Sequence, residues 1–305
     1  MEENFWKFKK VIVTGSSGFV GTHLVSFLKN QGAIVLGISR KDRQSSEDVT
    51  NLESMRKYFT DVYAVFHLAS DALVESGQEN PYETLRNTIL GALNILELSR
   101  LSKVQKIIIA STSQVYGTSD EKFKESDIPK PTRPYETSKT CVDIIAQSYA
   151  DSFGLPVLIP RFTNIYGPGD LHFDRLIPKT IKAVLEYKNP TMWGGLATRS
   201  YLYIDDAVRA YDTLGRLSVS EMEENRIYNF ASNSAFTVEQ VIAKIITLMH
   251  STVSIVKIDD ARKGEAVTQI LNTDKAKRIL DWRESISLDA GLTKTIDWYK
   301  NAIIL

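Results

Sequence analysis

The segment VIVTGSSGFVGTHLVSFLKNQG, residues 11–32, decides the fold. VIVTG is short, apolar and β-branched, the composition of a buried strand. From Val20 the spacing changes. Val20, Leu24, Phe27 and Leu28 share one helical face, and Gly32 closes the run. Between the two elements lie Gly15, Gly18 and Gly21. A glycine turn at a first strand–helix junction lets the backbone approach a pyrophosphate. The helix N-terminus then directs N–H groups and positive dipole at that anion.

The same pattern continues outward. IVLGIS (34–39), VYAVFHLA (62–69), VQKIIIAS (104–111) and LPVLIPRF (155–162) read as strands. ETLRNTILGALNILELSRLS (83–102) reads as a helix, as does 135–153, which starts after Pro134 and stops at Gly154. This alternation predicts a parallel sheet with helices on both faces. Past residue 165 the pattern loosens. YGPGD and NPTMWGG are loop-rich, and helices are expected within 176–188, 201–214 and 236–250.

Composition removes several classes of function. Lys+Arg and Asp+Glu balance at 37 each, so neither a nucleic-acid surface nor a polybasic membrane anchor is expected. No apolar run spans a bilayer, and MEENFWKFKK does not read as a signal peptide. Cys141 is the single cysteine, which excludes an intrachain disulfide and fits a reducing cytoplasm. The 4 histidines are scattered and form no metal-ligand cluster.

RPYETSK places Tyr135 and Lys139 one helical turn apart, on one face. An ammonium beside a phenol favours phenolate, which makes tyrosine usable as an acid and base. Such a pair also arises by chance, so its weight comes from the rest of the chain.

The glycine spacing is G-x-x-G-x-x-G, and with it the chain resembles the extended short-chain dehydrogenase/reductases that act on nucleotide sugars, the NAD-dependent epimerase/dehydratase family. The resemblance continues through HLAS (67–70), NTILGALNIL (87–96), STSQVYG (111–117), PYETSK, RFTNIYGPGD (161–170) and RSYLYIDDA (199–207), and ends in KAKRILDW (275–282). It implies an α/β fold, a Rossmann-type doubly wound parallel sheet with a smaller C-terminal substrate-binding lobe. We expect the nucleotide-binding part over 1–165, with returns near 201–232, and mainly the substrate lobe over 166–305.

The resemblance also assigns residues. Thr112, Tyr135 and Lys139 are the expected catalytic triad. The phenol carries the proton, its pKa lowered by Lys139 and by the oxidised nicotinamide, while Thr112 holds the sugar C4 oxygen. Dinucleotide contacts are expected from Gly15, Ser17, Gly18, Phe19, Val20 and Gly21, then Ser39 and Arg40. Others are expected from Asp48, Val49, Leu68, Ala69, Ser70 and Asn87, with Tyr135 and Lys139. Ser113, Gln114, Asn164, Arg199 and Arg262 are the expected substrate contacts, the last three at the diphosphate.

The second strand ends ISRKDR, with Ser39 where an NAD enzyme usually keeps a carboxylate for the ribose hydroxyls. Arg40, Lys41 and Arg43 fit a 2′-phosphate, so NADP(H) is the expected cofactor and NAD(H) the alternative. Dehydratases of the family place acidic residues just after the Thr. Here stand Ser113 and Gln114, and an amide cannot titrate. This demotes 4,6-dehydration, although 167–181 looks like the CDP-glucose dehydratase branch. The expectation is therefore an NADPH-dependent 4-ketoreductase on a nucleotide-linked hexose. A 4-epimerase that keeps its cofactor is the alternative, and a non-catalytic dinucleotide-binding relative is the reading from another class. By resemblance the chain forms a homodimer through the helices near 83–102 and 135–153.

Overall fold

The structure is a computed structural model. It describes residues 5–40, 47–70, 74–193, 197–258 and 268–302. The central element is a parallel sheet of β1 (Lys10–Thr14), β2 (Ile34–Ile38), β3 (Ala64–His67), β4 (Lys106–Ile109), β5 (Ser111–Thr112), β6 (Val157–Phe162) and the later strand Ile227–Phe230. Across the sheet the order is Ile227–Phe230, β6, β4, β3, β1, β2, with β5 also paired to β6. From β1 the chain builds β2 on one side and then crosses to β3 on the other. The carboxyl ends of β1 and β3 thus flank a switch point, where ligands of such sheets bind.

Burial explains why the strands read as continuous apolar runs. Val11, Val13, Ala64, Phe66, Ile108 and Leu158 belong to one core, while Ile12, Val65, Ile107, Ile109, Val157 and Ile159 belong to a second core. Successive side chains of a strand point to opposite faces, so a sheet covered on both sides needs apolar residues at every position. Each fully buried aliphatic side chain contributes roughly 1.5–3 kcal/mol.

The helices are α1 (Phe19–Asn30), α2 (Leu52–Arg56), α3 (Val74–Glu79), α4 (Pro81–Leu101), α5 (Pro134–Phe153), α6 (Leu176–Leu185) and α7 (Ile204–Arg216), followed by Val219–Glu224, Val238–Leu248, Asp274–Leu280 and Leu288–Ala302. α5 is bounded as its sequence dictates. Pro134 fixes the first turn, the Glu136 carboxylate accepts the Thr132 and Arg133 N–H groups, and Gly154 ends it at φ 64°. Smaller sheets lie beyond the core. Thr198–Tyr203 pairs with Asn164–Tyr166, Ala235–Thr237 and Thr268–Gln269, and Val256–Ile258 pairs with Thr191–Trp193. The helices expected within 201–214 and 236–250 are α7 and Val238–Leu248, each preceded by a strand, to Tyr203 and to Thr237.

Candidate active site

The glycine turn is built by close backbone contacts. Gly15 has φ 68°, and a Cβ there would meet the Ala69 nitrogen at 2.9 Å. A Cβ on Gly21 would meet the Gly15 carbonyl oxygen at 2.1 Å. The turn is thus pressed against the end of β3, where Thr14 Oγ1 accepts the Leu68 and Ala69 N–H groups, each at 3.2 Å. With both lone pairs engaged, the Thr14 hydroxyl donates to His67 Nδ1, 2.8 Å away, and leaves the ring proton on Nε2. Burial, and next the Lys139 ammonium, push the His67 pKa down to about 3. His67 is a neutral structural ring in this lattice of hydrogen bonds.

The turn fits a dinucleotide diphosphate. α1 begins at Gly18 with no side-chain cap and no acidic residue in its first turn. Its first intrahelical bond runs from Thr22 N to Gly18 O, so the Phe19, Val20 and Gly21 N–H groups have no helical acceptor. Ser16 Oγ beside them is buried without a hydrogen-bond partner among the described residues. At the end of β2, Ser17 and Ser39 hydroxyls meet at 2.5 Å, and Arg40 is exposed. Lys41, Asp42 and Arg43 lie outside the described residues. Asp48 Oδ1 accepts from Thr50 N and Oγ1 at 2.9 and 2.8 Å. Val49 packs toward Gly91, where a Cβ would meet Val49 Cγ2 at 2.7 Å, and its carbonyl accepts from Asn94. Asn87 is half-buried on α4.

From this turn a cavity of about 370 Å³ opens toward the later part of the chain. Val20, Leu68 and Ser70 line one part of it; Thr112, Tyr135 and Lys139 line another; Gln114, Asn164 and Arg199 line a third. Tyr135 is buried and lines the cavity together with Thr112. Thr112 Oγ1 also accepts the Gln114 N–H at 3.3 Å, capping the short turn Ser113–Tyr116. Lys139 Nζ donates to the Ala110 carbonyl at 3.0 Å. Burial pushes the Lys139 pKa down to about 8, against the pull of the Asp143 carboxylate.

Three expectations are corrected or left aside. In the chain by itself the Tyr135 pKa is raised, whereas the expected lowering draws also on the oxidised nicotinamide. Burial dominates, the Arg175 charge and the Thr112 hydroxyl oppose it, and Glu136 adds to it. Ser113 turns away from the cavity, its hydroxyl donating to Gln269 Oε1 at 3.4 Å, because the backbone leaves the strand for a tight turn there. Gln114 does line the cavity, with Oε1 buried and without a partner among the described residues. Arg262 lies outside the described residues. The cavity also holds residues that sequence reasoning missed: Arg133, Asp170, Asp174 and Arg175. Arg175 pairs with buried Asp170 at 3.1 Å, and Arg133 with buried Glu136 at 2.7 Å. In sequence these arginines resemble solvated turn residues; only the cavity gives them away.

Residues 11–231 match the NAD dependent epimerase/dehydratase family. The chain belongs to that family. Its relatives include a UDP-glucuronate 4-epimerase of Thermodesulfobacterium geofontis, 29% identical over 96% of this chain and 97% of that one. A dTDP-D-glucose 4,6-dehydratase of Dictyostelium discoideum is 30% identical over 96% and 82%. Among solved structures, the UDP-glucuronic acid 4-epimerase of Bacillus cereus, in complex with UDP-glucuronic acid and NAD, is similar with a TM-score of 0.87. It is 26% identical over 96% of this chain and 99% of that one. As a family member the chain has the Rossmann-like sheet, and the glycine turn, Thr112, Tyr135 and Lys139 fall in its matched region. Among the described residues no helix is long and apolar enough to cross a membrane, and no group of metal-ligating side chains occurs.

Proposed function

We propose that this family member oxidises and reduces C4 of a nucleotide-diphosphate hexose and that its net reaction is 4-epimerisation. The observation that carries the reading is one cavity lined by Val20 at the end of the glycine turn, by Thr112 and Tyr135, by Lys139, and by Asn164 and Arg199. A dinucleotide, held by the turn, the α1 N-terminus and Ser16, supplies hydride acceptance and donation. Tyr135 takes and returns the proton of the C4 hydroxyl. Thr112 steadies that oxygen, and Lys139, fixed on the Ala110 carbonyl, keeps a cation beside the phenol and would hold the nicotinamide ribose. Arg199 and Asn164 grip the diphosphate, for which a guanidinium fork is suited. Gln114 offers its buried carbonyl to a sugar hydroxyl and no titrating proton, which counts against dehydration.

The named relatives support epimerisation over simple reduction. One observation favours the second reading, an NADPH-dependent 4-ketoreductase: Arg40 is exposed at the end of β2, with Ser39 in place of a carboxylate. Incubation with a panel of nucleotide hexoses and their 4-keto forms separates the two. Epimerisation gives the C4 epimer with no net change in the dinucleotide, and reduction consumes NADPH one for one. The functional unit is a homodimer. Supporting this, Leu93 and Leu101 on α4 and Ile144 and Phe153 on α5 are exposed apolar residues.

A further inference from the structure

One wall of the cavity is a single short segment. Asn164, Ile165 and Tyr166 line it, followed by Asp170, Asp174 and Arg175. The C-terminal part of the chain anchors this segment. The Tyr166 hydroxyl donates to the Leu288 carbonyl at 3.2 Å, and the Tyr299 hydroxyl donates to the Asp170 carbonyl. The Asp170 carboxylate, 1% exposed, holds the next turn by accepting from the His172 N–H at 3.2 Å and from Arg175 at 3.1 Å.

The nucleotide-binding side reaches the same segment through α1. His23 Nε2 lies 2.9 Å from the Pro168 carbonyl oxygen, 145 residues away in sequence. A carbonyl only accepts, so the imidazole carries a proton on Nε2 and donates it. The ring stands one helical turn after Phe19 and meets it edge to face, with centroids 5.7 Å apart. Gly169, at φ 85°, turns the chain beneath the ring, and a Cβ there would lie 3.6 Å from His23 Nε2. His23 itself does not line the cavity.

One side chain thus joins two parts with different tasks. α1 offers its first N–H groups to a dinucleotide diphosphate, and residues 164–176 wall the space for the sugar nucleotide. Hydride transfer needs the reacting atoms about 3–3.5 Å apart, and a misplacement of about 1 Å can cost about 10²-fold in rate. A tie between α1 and the wall fixes that separation before either ligand arrives.

We propose that His23 is a positioning residue: its hydrogen bond to Pro168 sets the substrate wall against the helix that holds the dinucleotide, and so sets the approach of sugar to nicotinamide. This rests on the proposed function.

The test compares parent, His23→Leu and His23→Gln holoproteins, loaded with NAD+ or NADP+. Leucine keeps bulk beside Phe19 and removes the donor; the glutamine amide nitrogen can stand where Nε2 stands. Amide hydrogen exchange over 164–176 speeds up about three- to tenfold in His23→Leu, the range for one lost hydrogen bond, and stays within about twofold in His23→Gln. With UDP-glucose and UDP-glucuronate as probes, kcat falls about tenfold or more in His23→Leu, while KM and the dinucleotide Kd stay within about threefold. His23→Gln recovers most of the loss. Unchanged exchange in His23→Leu overturns the proposal. Equal acceleration in both variants assigns the effect to packing and overturns it too. A dinucleotide Kd raised tenfold makes His23 a support of the cofactor site instead, and faster exchange with unchanged kcat shows that the tie does not set the approach; either result overturns the proposal. If His23→Leu does not fold, His23→Asn, whose amide stops short of the carbonyl, is read in the same way. A parent that turns over neither sugar, while exchange still rises in His23→Leu alone, rejects the proposed function and leaves the tie between α1 and the wall standing.

Discussion

Arg161 Nε and Asp143 Oδ2 form an ion pair at 2.8 Å with side chains 2% and 0% exposed. Asp143 also accepts the Ser111 hydroxyl at 3.1 Å, and Arg161 donates to the Tyr116 hydroxyl at 2.7 Å. Arg161 lies in register with Ser111, and Phe162 with Thr112. The pair therefore clamps β5, which carries Thr112, between β6 and the helix that carries Tyr135 and Lys139. Asp143→Asn leaves a buried guanidinium uncompensated and should cost about 3–5 kcal/mol, read by urea unfolding. It also removes the carboxylate that holds the Lys139 pKa up, so that pKa falls below about 8. A loss under about 1 kcal/mol would show that the pair is not structural.

His67 makes stability depend on pH. Its folded pKa is about 3, below the ordinary 6.5. Between those values the unfolded chain binds more protons than the folded one. The stability contribution is whole above pH 6.5 and is lost as pH falls toward 3. From neutrality to about pH 5 the loss from this group is about 2 kcal/mol. His67→Gln lacks this acid limb. Denaturant midpoints of the two proteins at both pH values check it, and parallel losses would contradict it.

Arg40 decides between cofactors. If it meets a 2′-phosphate, Arg40→Ala weakens NADP+ binding about tenfold or more and leaves NAD+ binding unchanged, since a charged hydrogen bond contributes about 1.5–3 kcal/mol. Calorimetric Kd values for both dinucleotides settle the point. Equal small changes for the two would assign the cofactor as NAD.

Ile144 is 57% exposed midway along α5. Ile144→Arg should turn the dimer into a monomer in sedimentation without changing the fold seen by circular dichroism. A parent protein that is already monomeric would end the expectation.

Local signals carried much of this. β1, the glycine turn and α1 were legible because the apolar period changes at the glycines, and α5 because Pro134 and Gly154 punctuate it. Strand ends were overread: 62–63 and 68–69 are apolar but lie outside the ladder of β3. Among Ser111, Thr112, Ser113 and Gln114, sequence could not tell which side chains face the cavity, because a strand gives way to a tight turn there. The Arg175–Asp170 and Arg161–Asp143 pairs were invisible. The first joins two residues of a loop-rich stretch that carries no periodic signal, and the second joins residues 18 apart through the sheet.

The most direct test follows one turnover of nucleotide hexose by the holoprotein, recording product by NMR and the dinucleotide by its absorbance. Parent protein should yield the C4 epimer with the dinucleotide returned to its starting state. Tyr135→Phe should still bind the dinucleotide yet turn over about 10²–10⁴-fold more slowly. Turnover at the parent rate in Tyr135→Phe would contradict the account.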